Sequence, residues 1–97
     1  MFQPLDPLLH SELRLAVMSL LVGVKEAEFG YLKEKTNATA GNLSVQLQKL
    51  SDAGYISITK SFKGNYPLTT CSIKKKGVDA FEAYVEALKS YFDVSKR

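Results

Sequence analysis

The 97-residue sequence predicts an α+β fold that is mainly α, and three observations carry that expectation. Apolar residues recur at helical spacing through the first half of the chain and again near its C-terminus. Between Tyr55 and Ile73 the pattern changes to two β-rich runs, the first alternating polar and apolar, separated by glycine and asparagine. Start and stop residues fall where such elements need them, at Asp6-Pro7, Thr39, Gly54 and Gly64.

Taken in order, Asp6-Pro7 offers a helix start, an acidic cap followed by proline in the first turn, and His10-Ser11-Glu12 offers a second. Leu9, Leu13, Ala16, Val17, Leu20, Leu21 and Val24 follow at helical spacing, and Gly23 with the polar residues beyond it ends the run. Glu26 to Lys35 reads as a short second helix with Phe29 and Leu32 inward. Thr36-Asn37-Ala38 is a turn. Thr39 caps a third helix that carries Leu43, Leu47 and Leu50 on one side and is closed by Gly54. Tyr55 to Lys60 and Leu68 to Ile73 are strands, joined through a turn at Lys63-Gly64-Asn65-Tyr66-Pro67 into a hairpin. Helical spacing returns from Val78 to Phe92, and Asp93 to Arg97 is expected to be a frayed tail. Three helices, a two-stranded ribbon and a last helix make a winged helix–turn–helix in one domain. Residues 1–76 form its core and wing, 77–92 a C-terminal dimerisation helix and 93–97 a tail.

A chain of this length supports one small core. Its net charge of +3 is unevenly spread. Residues 49–76 hold six lysines (Lys49, Lys60, Lys63, Lys74, Lys75, Lys76) against Asp52 as their single acid. A local basic excess is the footprint of a polyanion-binding surface, and equally serves as a solvated face that aids solubility. The single Cys71 excludes an intramolecular disulfide and fits a reducing cytoplasm. Met1-Phe2-Gln3-Pro4 shows no signal-peptide pattern. The apolar run from Leu13 to Val24 is too short to span a bilayer and is interrupted by Arg14, Ser19 and Gly23, so a cytoplasmic protein is expected.

The third helix is the informative element. At about 100° per residue with Leu43 at zero, Leu47 falls near 40° and Leu50 near 340°, whereas Gly41, Val45 and Gln48 fall near 160°, 200° and 140°. Asn42 and Ser44 flank that outward face and Lys49 lies beside it. Such a face suits a major groove: Asn and Gln pair with adenine edges, Ser donates or accepts, and Val45 meets a thymine methyl. Ala40 and Gly41 keep the helix start slim, and its free N–H groups favour phosphate. Thr36, Thr39 and Lys49 are candidates for fixing register on the DNA backbone. The plain alternative is a set of solvent-facing polar residues. Lys60, Lys63, Gly64, Asn65 and Tyr66 form the wing, whose tip is placed to reach a neighbouring minor groove or its phosphates. Lys74-Lys75-Lys76 sits against the dipole of the last helix, which costs roughly a few tenths of a kcal/mol per charge. Phosphate contact and an unselected surface run both explain it.

The stretch from Thr39 to Ser44, with Leu47, Leu50, Ala53-Gly54-Tyr55-Ile56, Lys60, Pro67-Leu68-Thr69 and Leu13-Arg14-Leu15-Ala16, resembles winged-helix transcriptional regulators of the MarR and ArsR families, most nearly the compact single-domain MarR-like group. The resemblance covers nearly all of the chain. It implies a dimeric bacterial or archaeal regulator on a palindromic operator, with the helix from Thr39 as recognition helix and Lys63 to Tyr66 as wing tip. One departure stands out: where the family carries Leu-Thr, the Thr capping the last helix, this chain has Ile73-Lys74. ArsR-type metal sensing needs a cluster of Cys, His or carboxylate ligands, and a chain with one Cys and one His gives no reason to expect a metal or any cofactor.

The last helix presents Phe81, Tyr84, Val85, Leu88, Tyr91 and Phe92, more apolar surface than so small a core absorbs together with the first helix. A homodimer through this stripe, helped by Leu9, Leu13 and Val17, is therefore expected; packing of the stripe on the chain's own core is the alternative. Dimerisation sets two recognition helices about 34 Å apart, one duplex turn. No catalytic site is expected. His10 reads as a cap or surface residue and Cys71 as a small core residue, without a phosphate loop, metal-ligand spacing or nucleophile elbow. The sequence thus points to a specific double-stranded DNA-binding regulator, and otherwise to a winged-helix protein–protein module. Any small-molecule effector would have to sit between the first and last helices of a dimer.

Overall fold

A computed structural model of the chain describes residues 2–92; the expected tail at 93–97 lies outside them. The elements are α1 (Glu12–Val24), β1 (Glu26–Glu28), α2 (Phe29–Thr36), α3 (Ala40–Asp52), β2 (Ile56–Lys63), β3 (Tyr66–Ile73) and α4 (Lys75–Lys89).

Of the two candidate starts for α1, the second is realised, with Ser11 in extended conformation as N-cap. Asp6 is diverted from capping. One carboxylate oxygen accepts from the Leu8 N–H at 2.9 Å and the other from the Tyr55 hydroxyl at 2.5 Å. Its carbonyl accepts from Leu9 and His10, closing a turn that drops Leu9 into the core. Val17, Met18 and Leu21 of α1 are fully covered by the rest of the domain.

The second helix begins three residues later than its sequence suggests, because Glu26–Glu28 is a strand. It pairs antiparallel with β3, Ala27 opposite Cys71, and turns the expected two-stranded ribbon into a three-stranded sheet of order β1-β3-β2. Lys25, at φ 74°, breaks α1 and re-aims the chain along β3, and its carbonyl accepts from Ile73 N–H. Glu and Ala favour helix locally; the open side of β3 overrides that preference. Cys71 therefore lies in a central strand, fully buried, and burial pushes its thiol up to about 11.

The hairpin turn is tighter than expected. Only Gly64 and Asn65 connect the strands, with Gly64 at φ +65°, a conformation glycine adopts without strain. Lys63, Tyr66 and Pro67 belong to the strands, Pro67 opposite Phe62. Pro67 is accommodated because β1 reaches only as far as Thr70, leaving that end of β3 unpaired on its other side.

The last helix starts at Lys75 and ends at Lys89, three residues ahead of expectation at each end. No side chain caps it, as the Ile73-Lys74 departure suggested; instead Lys74 N–H donates to the Tyr55 carbonyl at 3.0 Å. Gly77 then lies against that same carbonyl, where a Cβ would come within 2.2 Å of the oxygen. Three residues expected at a dimer interface are instead part of this core. Leu9 and Val17 are fully buried, and Tyr84 is 4 % exposed with its hydroxyl 2.9 Å from His10 Nδ1. All three belong to one core cluster, and the N-terminal segment Pro4 to Pro7 lies beside Ala80, Ala83 and Tyr84 of α4. Gly77→Ala is expected to destabilise the fold by about 1–3 kcal/mol through overpacking, read as a lower midpoint in urea unfolding at unchanged slope.

Candidate nucleic-acid interface

The rotation of α3 is decided by its leucines. Leu43 and Leu50 are fully buried and Leu47 is 2 % exposed. The opposite side is open: Ala40, Gly41, Asn42, Ser44, Val45, Gln48 and Lys49 are all exposed, Val45 at 53 %. Among the described residues nothing buries the face that would enter a groove. Thr39 caps the helix as expected, its hydroxyl oxygen accepting the Asn42 N–H at 3.2 Å. The hydroxyl proton of Thr39 stays free for an outside acceptor. Thr36 stands apart. It is half-buried at the end of α2, and its hydroxyl donates to the Leu32 carbonyl at 2.7 Å.

The wing rises beside this helix. Ser44 and Gln48 of α3 share a cleft of about 310 Å³ with Ile58, Lys60 and Thr69 of the sheet, so the reading face and the wing base form one continuous surface. Lys60, Lys63, Gly64, Asn65 and Tyr66 are exposed. Sequence reasoning missed Phe62. It shares strand parity with Ile56 and Ile58, which reads as inward, yet β2 runs past the body of the domain and leaves Phe62 73 % exposed beside Pro67. Tyr66 is 77 % exposed on the other face of the ribbon. Two aromatics and Lys63 thus crowd the end of the wing, while Lys60 stands nearer its base.

Two of the three lysines at the start of α4 have partners within the protein. Lys75 pairs with Asp79 at 2.9 Å, and that bond raises its pKa. Lys76 lies over the Tyr55 ring at 5.8 Å. Burial and the hydrogen bond to Asp6 push the Tyr55 hydroxyl up to about 12, so it remains a donor at any ordinary pH. Among the described residues no His, Cys, Asp and Glu side chains gather in a group fit for a metal ion, and no helix is long and apolar enough to cross a membrane.

A three-helix body with a two-stranded wing and an exposed third-helix face defines the winged-helix class. The chain belongs to the winged helix DNA-binding domain family, whose model matches residues 13–92. It is 40 % identical over 76 residues to an uncharacterized protein of Methanocaldococcus jannaschii, covering 78 % of this chain and 83 % of that one. Its fold is that of a transcriptional regulator homologue from Pyrococcus horikoshii, with TM-score 0.84, 23 % identity and coverage of 93 % and 89 % of the two chains. It is also similar to Bacillus subtilis PadR, solved with operator DNA, at TM-score 0.68 and 18 % identity over 88 % of this chain and 61 % of that one. A MarR-family regulator from Silicibacter pomeroyi superposes at TM-score 0.68 and 14 % identity, over 91 % and 58 %.

Thr39→Ala removes the side-chain cap of α3 and is expected to cost about 1 kcal/mol of stability. Thermal unfolding of the two proteins side by side checks it, and an unchanged midpoint would mean that the cap contributes nothing.

Proposed function

We propose that this winged-helix DNA-binding domain works as a sequence-specific transcriptional regulator, a homodimer on a palindromic double-stranded operator. The observation that carries the proposal is the uncovered face of α3 adjoining a lysine-bearing wing. In this reading α3 enters the major groove and the wing lies on adjacent backbone or minor groove. Asn42, Ser44, Val45 and Gln48 meet base edges. Thr39, Lys49, Lys60 and Lys63 meet phosphates, and Gly64, Asn65 and Tyr66 carry the tip. The regulator from Pyrococcus horikoshii and the operator-bound PadR support this reading through their shared fold. A buried free thiol fits a reducing compartment such as the cytoplasm.

The dimer rests on an apolar face left over after the core closes. Val85, Tyr91 and Phe92 are exposed at 37 %, 38 % and 74 %, and Phe81 and Leu88 are half-buried, whereas Leu13, expected on this face, lines a cleft with Thr36, Ala38 and Asn42 instead. Phe2 extends the face by stacking on Tyr91 at 4.9 Å, held there by Gln3 N–H on Ser90 Oγ and by Tyr91 Oη on the Gln3 carbonyl, each at 3.0 Å. An exposed aromatic surface of this kind is what a two-fold partner covers.

Binding to duplex DNA is expected to weaken steeply as salt rises, with a slope set by the number of phosphates neutralised. A protein–protein module of the same fold would show no such binding. Lys63→Ala is expected to weaken binding to all duplexes alike. Asn42→Ala or Gln48→Ala should lower discrimination for the operator by about 1–3 kcal/mol, measured by competition titration. Unchanged binding by all three variants would remove the reading face from α3. Sedimentation at micromolar concentration should show a dimer, and Val85→Glu should shift it toward monomer at least tenfold in dissociation constant; a parent that sediments as monomer refutes the dimer.

A further inference from the structure

Two amide side chains on the exposed face of α3 are each engaged at one end, Gln48 by a charged residue directly and Asn42 by one acting through Gln46, and the chemistry of that charged residue decides which end faces outward. The first relay begins at Arg14 in α1. Its Nε donates to the Leu8 carbonyl at 2.6 Å, and Nη1 donates to Gln46 Oε1. Gln46 Nε2 in turn donates to Asn42 Oδ1 at 3.0 Å. A guanidinium has donors and no acceptor, so Gln46 must present its oxygen to Arg14. Its NH2 group must then face Asn42, and Asn42 must answer with its oxygen. What Asn42 has left for an outside partner is mainly its NH2 group. The second relay runs the other way. An ionised carboxylate only accepts, and Asp52 Oδ1 takes the Gln48 NH2 at 2.8 Å. Gln48 keeps one N–H, and its carbonyl oxygen is the end that Asp52 leaves wholly unengaged.

We infer that the recognition helix reads DNA with a fixed hydrogen-bond polarity, Asn42 as donor and Gln48 as acceptor, and that Arg14 is a positioning residue acting through Gln46. The inference rests on DNA binding by α3 and deepens it. The two amides are six residues apart, about 9 Å along the helix axis, so they address different base pairs. Asn42 matches guanine, whose major-groove edge shows the acceptors N7 and O6. Gln48 matches a base with an exocyclic amine, cytosine or adenine. This departs from the adenine pairing that Asn and Gln suggest by residue type, because bidentate contact to adenine needs both ends of the amide. Arg14 and Gln46 are both half-buried, which shields the first relay from exchange with water.

Gln46→Glu inverts the first relay without removing its partners. Its carboxylate still accepts from Arg14 and now accepts from Asn42 as well, so the Asn42 amide turns its oxygen outward. The test is selection of bound fragments from random duplex DNA by the full chain, by Asn42→Ala and by Gln46→Glu. Asn42→Ala identifies the base pair that Asn42 reads, as the position that relaxes. At that position the parent is expected to prefer guanine by about fivefold, the worth of one hydrogen bond. Gln46→Glu should prefer cytosine or adenine there, with the other positions unchanged. Gln46→Ala frees both ends of Asn42 and should admit adenine, an independent check should the carboxylate variant fold poorly. The relay is overturned if the parent already prefers adenine at that position, or if neither Gln46 variant changes the base. In that outcome an enriched operator in the parent would leave DNA reading by α3 standing. A parent that enriches no sequence at all would overturn both.

Discussion

Burial of the leucine stripe of α3 is the interaction on which the rest depends. Leu43, Leu47 and Leu50 are covered to within 2 % of completely. Each such burial contributes about 1.5–3 kcal/mol. Rolling the helix by one residue would carry Ser44 and Gln48 toward the core in their place, losing several kcal/mol of burial and stranding polar groups. The helix therefore has one rotation, and the orientation of every residue on its far side follows from it. A reading surface is thus specified by what the helix hides, because the outward residues, Gly41 and Val45 among them, take no part in the core.

Tyr55 makes that rotation rigid. It follows the glycine that ends α3, and four parts of its structure have partners. Its N–H donates to Leu50, its carbonyl takes Lys74 N–H, its hydroxyl donates to Asp6, and its ring lies beneath Lys76. The end of α3, the N-terminal turn and the junction between β3 and α4 are thereby joined at one residue. Gly77 is required there because the helix backbone passes against the Tyr55 carbonyl with no room for a side chain. This joint connects the end of α3 to the start of α4.

The structure also separates what serves the core from what is left for partners. Leu9, Val17 and Tyr84 belong to the interior, while Phe2, Val85, Tyr91 and Phe92 remain outside. The aromatics at the wing tip, Phe62 and Tyr66, are exposed because the ribbon outruns the body beneath it. Large apolar side chains are thus exposed at the end of the wing and on the α4 face, and also at Val24, Tyr31 and Val45.

The sequence by itself determined whatever depends on neighbours within a few turns. The leucine period of α3, the Thr39 cap, the glycine at the hairpin turn and the order of the major elements were all legible, because helical and strand periodicity is local. So was the outward face of α3, which is the complement of its leucines. Tertiary structure decided the rest, through contacts between residues far apart in the chain. Glu26–Glu28 became a strand only because β3 had an open side to pair with. Asp6 gave one carboxylate oxygen to the Leu8 N–H of its own turn and the other to Tyr55, 49 residues away. Arg14 reached Gln46 across 32 residues and so set which end of Asn42 faces out. Residue type told that an amide stood on the surface; which of its two ends was free depended on a charge brought to it from another helix.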